Sequence, residues 1–245
     1  MKYTGIYFRI FIRMISYKEI KHSVLHLLFP HVCDGCGSDI LDEESSLCMK
    51  CIAEMPETNF HLHANNPVEK IFWGRLPIVS ATAQYYFIKE SLMQHLMHQL
   101  KYKGNRELGK QLGRLMGHDL QKTGRFNKVD FLVPLPLFAS KEKRRGYNQA
   151  TILCEGISEV LNTEIARDVI IRTQYTDTQT KKGRIERWQN MEGKFELVKP
   201  EKIRNKNILL VDDVITTGAT LEACGLGLLQ ASPKLSIATL CYASR

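Results

Sequence analysis

An acidic pair followed by a turn rich in threonine and glycine stands out between residues 208 and 220. Residues 208–211 are all apolar and predict a buried strand, at whose C-terminal end come Asp212 and Asp213. Open α/β sheets bind ligands at this end of their strands, and a turn that opens a helix offers backbone N–H groups to a phosphate. Because two carboxylates suit the vicinal hydroxyls of a ribose, the pattern predicts a site for a ribose 5-phosphate group. The turn that would hold the phosphate consists of Thr216, Thr217, Gly218, Ala219 and Thr220.

Arginines stand at two other places where they would meet further phosphates. Arg144 and Arg145 close a basic stretch that begins at Lys141, just beyond a predicted strand, and guanidinium groups bind phosphate oxygens in a bidentate manner. Arg184 and Arg187 lie in a polar, lysine-rich segment between two predicted strands. That segment predicts either a lid that closes over the site and excludes water or an ordinary exposed loop.

Four of the seven cysteines form two closely spaced pairs, Cys33-x2-Cys36 and Cys48-x2-Cys51, with eleven residues between the pairs. Two such pairs close a tetrahedron of thiolates around zinc, and four protein ligands leave no open coordination position, so the predicted zinc is structural. Disulfides are the alternative, and a reducing cytosol would oppose them. His31, two residues before the first pair, is either a substitute ligand or a packing or solvated side chain.

The composition of the chain is that of an ordinary globular protein. It has 245 residues, 44% of them hydrophobic and 24% charged, which excludes a disordered, collagen-like or coiled-coil chain. No uncharged apolar run approaches the roughly 18 residues that a membrane span needs. Arg9 and Arg13 interrupt the apolar N-terminal stretch, which also has no small-residue cleavage site. We therefore expect no membrane span and no export, and hence a cytoplasmic protein.

Charge is distributed unevenly along the chain. The formal net charge is +8, but residues 33–57 hold seven acidic side chains against the single base Lys50, a net of −6. The remainder has 33 basic and 19 acidic residues, a net of +14, with basic clusters around 101–125, 141–145 and 181–187. An anionic partner is expected to meet this basic body and to avoid the acidic stretch. The alternative is that the basic side chains are simply solvated surface.

The elements that would position these residues alternate between strands and helices. Apolar residues recur with helical period over 92–100 and again over 108–120, after an extended segment at 78–88. Such alternation predicts an α/β fold with a mostly parallel sheet that helices cover on both faces. Further strands are predicted at 129–135, 164–171, 207–211 and 235–241, and further helices at 147–161 and 218–230.

The stretch from Ile208 to Thr220 resembles, position by position, the phosphoribosyl pyrophosphate (PRPP) signature of type I phosphoribosyltransferases. Among proteins with that fold, the chain resembles the ComF competence family. One departure is Phe138, where relatives commonly place histidine. The resemblance to ComF proteins also rests on the four-cysteine module, on Val133-Pro134-Leu135-Pro136-Leu137, on Gly146-Tyr147-Asn148-Gln149 and on Leu100-Lys101-Tyr102-Lys103-Gly104. The spacing of the family's flexible-loop region is matched by Arg172, Thr176, Gln179, Arg184, Arg187, Asn190 and Phe195.

The resemblance implies a division of the chain and a role for each motif. Residues 1–23 would be an N-terminal extension, 24–60 a zinc-ribbon-like module and 67–245 a type I phosphoribosyltransferase-like domain. Asp212 and Asp213 would bind the ribose of PRPP, and Mg²⁺ would accompany this ligand. The pyrophosphate side would consist of Arg144, Arg145, Gly146, Asn148 and Gln149, and the flexible loop would contribute Gln179, Arg184 and Arg187.

The function that the resemblance implies is that of a PRPP-binding protein that assists the uptake or handling of single-stranded DNA in natural transformation. Its partners would be PRPP, single-stranded DNA on the basic α/β body, and a DNA-uptake helicase or other competence proteins. Phosphoribosyltransferase activity towards an unidentified acceptor is a first alternative and is compatible with this role, although no residue is an obvious catalytic nucleophile. A PRPP-sensing regulator is the second alternative, but the sequence offers no helix-turn-helix segment to support it.

Overall fold

Two sheets are present in the computed structural model, which describes residues 31–39, 42, 45–173, 195–232 and 234–243. Five of the strands form a parallel sheet, and the other two form a separate antiparallel pair. The strands of the described residues are β1 (Ser80–Tyr86), β2 (Phe131–Pro134), β3 (Glu164–Ile165), β4 (Ile170–Arg172), β5 (Phe195–Leu197), β6 (Asn207–Ile215) and β7 (Lys234–Tyr242).

The parallel sheet has the strand order β1-β7-β6-β2-β3, with β6 at its centre. Ile208–Val211 of β6 are fully buried, because a strand of a parallel sheet covered on both faces needs an unbroken apolar run. Leu209 and Val211 belong to the apolar cluster on one face, and Ile208 and Leu210 belong to the cluster on the other. This arrangement confirms the predicted α/β fold with a mostly parallel sheet flanked by helices.

Helices supply the apolar residues that cover the two faces of this sheet. They are α1 (Met49–Glu54), α2 (Pro67–Phe72), α3 (Leu92–Tyr102), α4 (Arg106–Gln121), α5 (Ala139–Arg145), α6 (Gln149–Leu161), α7 (Pro200–Ile203) and α8 (Ala219–Leu228). Leu96 of α3 and Leu112 of α4 belong to the cluster on one face, and Phe72 of α2 and Leu221 of α8 belong to the cluster on the other. Within the described residues, no helix combines the length and the apolar character that crossing a lipid bilayer requires.

The structure departs from the sequence prediction in the segment 164–171, which was expected to be one strand and contributes to two sheets. β3 joins the parallel sheet beside β2, whereas β4 pairs with β5. Asp168 stands between β3 and β4 and forms ion pairs with Lys199 and Lys202. β4 and β5 therefore do not extend the parallel sheet but pack against α8.

The described residues between 31 and 55 pack against α3 and α4. Leu47 is buried in the same apolar cluster as Met93 of α3. The side chain of Gln111 in α4 accepts hydrogen bonds from the backbone N–H groups of Ser46 at 2.7 Å and of Leu47 at 3.1 Å. The four-cysteine module and the parallel-sheet domain therefore share part of one apolar core.

Candidate functional site

The acidic pair lies near the C-terminal end of β6, and open α/β sheets bind their ligands at this end of the strands. Asp212 and Asp213 are half-buried, and the backbone N–H of Asp213 donates a 2.8 Å hydrogen bond to Oδ1 of Asp212. Lys101, on the last turn of α3, places its Nζ 3.0 Å from Oδ2 of Asp213. Lys101 was not among the predicted site residues, although the motif Leu100–Gly104 contains it.

The two carboxylates influence each other electrostatically. Burial, and then the neighbouring Asp213 carboxylate, raises the pKa of Asp212 well above its usual range. The Asp213 N–H group and the nearby cations Lys101 and Arg172 act in the opposite direction without cancelling the rise. Asp212 therefore holds its proton more tightly than an exposed aspartate does, which favours a role in hydrogen bonding to neutral hydroxyls.

The turn that follows β6 brings backbone N–H groups close to the acidic pair. Gly218 precedes the first residue of α8 and has a φ of 74°, a left-handed conformation that favours glycine. A Cβ atom there would lie 2.6 Å from Cγ2 of Ile71, so only glycine fits between this turn and α2. Arg75 fixes the turn from outside, because its Nη1 donates to the Thr217 carbonyl at 3.1 Å and its Nη2 pairs with Glu222.

The turn bounds a small cavity next to the acidic pair. The volume of this cavity is about 50 Å³. Its position between carboxylates and a helix N-terminus is the arrangement predicted for a sugar phosphate. The cavity is lined by Asp212, Val214, Ile215, Thr216, Thr217, Gly218, Ala219, Thr220 and Leu221.

The predicted pyrophosphate-side residues separate into exposed and buried ones. The basic stretch is helical and forms most of α5, which ends at Gly146. Arg144 is exposed, whereas Arg145 is half-buried, with its Cζ 5.7 Å from the Tyr102 ring centroid and its Nη1 donating to Oε1 of Gln149 at 2.6 Å. Asn148 is buried and structural, since it caps α6 and its Nδ2 donates to the Leu135 carbonyl at 2.9 Å. Asn148 and Gln149 therefore hold the loop and orient Arg145.

Arg172, at the end of β4, lies close enough to the acidic pair to act on it electrostatically. Its Cζ atom lies 4.0 Å from the ring centroid of Phe138 and 5.3 Å from that of Phe195. Burial lowers the pKa of Arg172, and the charge of Asp212 opposes this shift. Phe138 therefore contributes a cation–π contact to the side chain of Arg172.

The remaining predicted loop residues cannot be placed in the site. Gln179, Arg184 and Arg187 lie outside the described residues, as do Thr176 and Asn190. The described flanks of that segment are β4 and β5, and both carry side chains, Arg172 and Phe195, that belong to the cation–π cluster beside Asp212.

The four predicted metal ligands are close together. All four Sγ atoms of Cys33, Cys36, Cys48 and Cys51 lie within 4.8 Å of one another, and Cys36 and Cys48 are 3.7 Å apart. Zinc–sulfur bonds of about 2.3 Å in a tetrahedron require sulfurs about 3.8 Å apart, so the cluster fits a metal ion such as zinc. His31 instead bonds through Nε2 to the Ser45 carbonyl at 2.7 Å.

The local backbone of the cluster favours a thiolate at Cys33. Burial alone would raise the pKa of Cys33, but the backbone N–H groups of Cys48, Cys36 and Gly35 outweigh it and lower the pKa to about 6. Burial and the neighbouring sulfurs raise the pKa of Cys51. A Cβ atom at Gly35 would lie 2.7 Å from Sγ of Cys51, so glycine is required for the sulfurs to approach. Such crowded sulfurs are what a divalent cation would neutralise.

Comparison with known proteins adds a domain match and several similar proteins. Residues 139–245 match the phosphoribosyl transferase domain family. DNA utilization protein YhgH of Escherichia coli K12 is 29% identical over 194 residues, which cover 78% of this chain and 80% of that protein. Competence protein F of Haemophilus influenzae is 28% identical over 203 residues, covering 81% and 84%, and competence protein ComFC of Bacillus subtilis is 28% identical over 231 residues, covering 91% and 88%. With its parallel α/β sheet, the chain is similar over most of its length to these competence and DNA-utilization proteins, and its C-terminal part matches the phosphoribosyl transferase domain family.

Proposed function

We propose that the protein binds PRPP together with Mg²⁺ at the carboxyl end of β6. The observation that carries the proposal is the direct adjacency of the acidic pair and the turn Thr216–Thr220, whose cavity includes Asp212. The carboxylates of Asp212 and Asp213 would bind the two ribose hydroxyls, and the N–H groups and hydroxyls of the turn would bind the 5′-phosphate.

The pyrophosphate of this ligand would meet cations on the adjoining loops. Arg144 and Arg145 stand at the end of α5, and Arg145 lies over Tyr102, the residue next to Lys101. Mg²⁺ would arrive as part of the substrate complex, with Asp212 and Asp213 contacting hydroxyls directly or through its bound waters. Gly146 gives the loop its left-handed turn at φ 82°.

The test is calorimetric titration of Mg²⁺ and PRPP into the full chain and into a variant with both Asp212→Asn and Asp213→Asn. Removal of charged partners from a partly desolvated site typically costs about 2–5 kcal/mol, so we expect affinity to fall by roughly thirtyfold or more. Circular dichroism and thermal unfolding check that the variant is folded. If the folded variant binds PRPP as tightly as the unchanged protein does, the acidic pair is not part of the PRPP site. If neither protein binds PRPP, the proposed function is wrong.

We further propose that the biological role is the handling of single-stranded DNA during uptake or utilisation, with competence proteins such as a DNA-uptake helicase as partners. The relatives named for competence and DNA utilisation support this role. The surface supports it as well: Tyr102 is 61% exposed beside Arg145, and Arg144 is exposed on the basic helix α5. Aromatic and cationic side chains in this combination suit unpaired bases and their phosphates. Tyr147 is unsuited to stacking, because it is only 7% exposed and its hydroxyl donates to the Leu100 carbonyl.

Phosphoribosyl transfer is the second candidate function, favoured by the match of residues 139–245 to the phosphoribosyl transferase domain family. PRPP-dependent release of pyrophosphate in the presence of candidate acceptors distinguishes a transferase from a protein that only binds PRPP. The proposed organisation remains an N-terminal extension over 1–23, a structural zinc module over 24–60 and a phosphoribosyltransferase-like domain over 67–245, in a cytoplasmic protein.

A further inference from the structure

Each carboxylate of the acidic pair has a cation supplied by a different element. Lys101 of α3 lies 3.0 Å from Asp213, with the two side chains only 23% and 15% exposed. Arg172 of β4 acts on Asp212 and is held between the rings of Phe138 and Phe195. Lys101 and Arg172 come from segments far from β6 in the sequence, so their approach to the acidic pair is a property of the fold.

Charge compensation at this place has a consequence for a phosphorylated ligand. A carboxylate in a partly buried site would repel phosphates, because the effective dielectric constant is lower there than in water. A mostly buried ion pair contributes little net stability to the folded state, because the cost of desolvating both charges offsets much of their Coulomb attraction. The ion pair of Lys101 with Asp213 is therefore better explained by the ligand than by folding.

We propose that Lys101 is a ligand-binding residue of the PRPP site, which neutralises Asp213 and donates its remaining N–H groups to phosphate oxygens of the ligand. The proposal rests on the proposed PRPP function and adds to it a residue and a charge mechanism. An ammonium group has three donors, so the contact with Asp213 leaves donors for a second partner. Lys101 then substitutes for part of the positive charge that Mg²⁺ would otherwise have to supply.

The experiment compares Lys101→Met with Lys103→Met by titration of PRPP at a series of Mg²⁺ concentrations. Both changes remove one positive charge from the same end of α3, but Lys103 is exposed. We expect Lys101→Met to weaken PRPP binding by at least about tenfold at low Mg²⁺ and to make binding depend more steeply on Mg²⁺. Lys103→Met is expected to behave like the unchanged protein, and Lys101→Arg is expected to restore much of the affinity.

The outcomes separate this inference from the proposed function. If the unchanged protein does not bind PRPP, the proposed function fails, and the role of Lys101 fails with it. If the unchanged protein binds PRPP and Lys101→Met binds it as well as Lys103→Met does, or more tightly, the role of Lys101 alone is overturned. Lys101→Gln provides the same comparison should Lys101→Met not fold.

Discussion

At the scale of single residues, Asp212 is a group whose surroundings oppose its charge. Burial, followed by the neighbouring Asp213, raises its pKa well above the usual range. The folded state therefore keeps a proton that the unfolded chain releases. Because the folded state binds more protons, the free energy of unfolding contributed by Asp212 falls as pH rises from the ordinary aspartate pKa through the raised one. The unliganded protein thus gives up stability at neutral pH to keep an acid at this place.

The change Asp212→Asn should reverse that loss. We expect it to increase the free energy of unfolding of the unliganded protein at pH 7 by an amount on the order of 1 kcal/mol, and to reduce PRPP affinity. The gain should disappear below the ordinary aspartate pKa of about 4, where Asp212 is protonated in both states. Urea unfolding across this pH range measures the effect. Asp213→Asn is the control: it relieves the repulsion of Asp212 but leaves Lys101 without its 3.0 Å partner, so its gain in stability should be smaller than that of Asp212→Asn. A loss of stability at pH 7 in both variants would contradict the conclusion that the surroundings of Asp212 oppose its charge.

At the scale of elements, the sequence predicted what depends on local pattern. β6 and its turn were predicted because an apolar run, an acidic pair and a Thr-Thr-Gly turn are contiguous in the sequence. The ion pair of Lys101 with Asp213 and the electrostatic influence of Arg172 on Asp212 were missed, because α3 and β4 approach β6 only in the folded chain. The division of 164–171 into β3 and β4 was missed for a similar reason, since β4 pairs with β5, a strand distant from it in the sequence.

The four-cysteine module is the element whose stability should depend on a metal. We expect one zinc per chain, and we expect Cys33→Ser to lower the zinc content and to speed amide hydrogen exchange over the described residues between 31 and 55. Leu47 packs in the same cluster as Met93, and Gln111 of α4 accepts a hydrogen bond from the backbone of the same segment. Hydrogen exchange should therefore also rise on the face of α4 that carries Gln111. PRPP affinity should be unchanged. Metal analysis and hydrogen-exchange mass spectrometry measure both effects.

A cysteine outside the cluster provides the matched control for this test. Cys154 is buried in the apolar core, so Cys154→Ala should alter stability without lowering the zinc content. Protein prepared without chelator that contains no zinc would contradict the assignment of the cluster. A loss of PRPP binding in folded Cys33→Ser would show instead that the module and the ligand site are coupled.

At the scale of the whole molecule, charge divides the protein into an acidic segment and a basic body. The segment 33–57 has a net side-chain charge of −6, and four thiolates on one zinc would add about two further negative charges. The proposed surface for DNA lies on the basic body, where Arg144 is exposed and Tyr102 lies beside Arg145. A DNA strand should therefore contact α5 and the end of α3 and avoid the four-cysteine module.

The last prediction separates charge from stacking in the proposed binding of single-stranded DNA. Each phosphate neutralised on a single strand contributes a slope of about −0.7 to the plot of log affinity against log salt, so Arg144→Gln should flatten that slope by about 0.7. Lys50→Gln removes the same charge from the acidic segment, where Lys50 is exposed, and should leave the slope unchanged. Tyr102→Ala should weaken binding at every salt concentration by about 1–3 kcal/mol, the contribution of one stacked base, without changing the slope. Fluorescence anisotropy with a labelled oligonucleotide measures affinity and slope together. If Lys50→Gln flattens the slope as much as Arg144→Gln does, the acidic segment contacts DNA after all, and the proposed path of the strand is wrong.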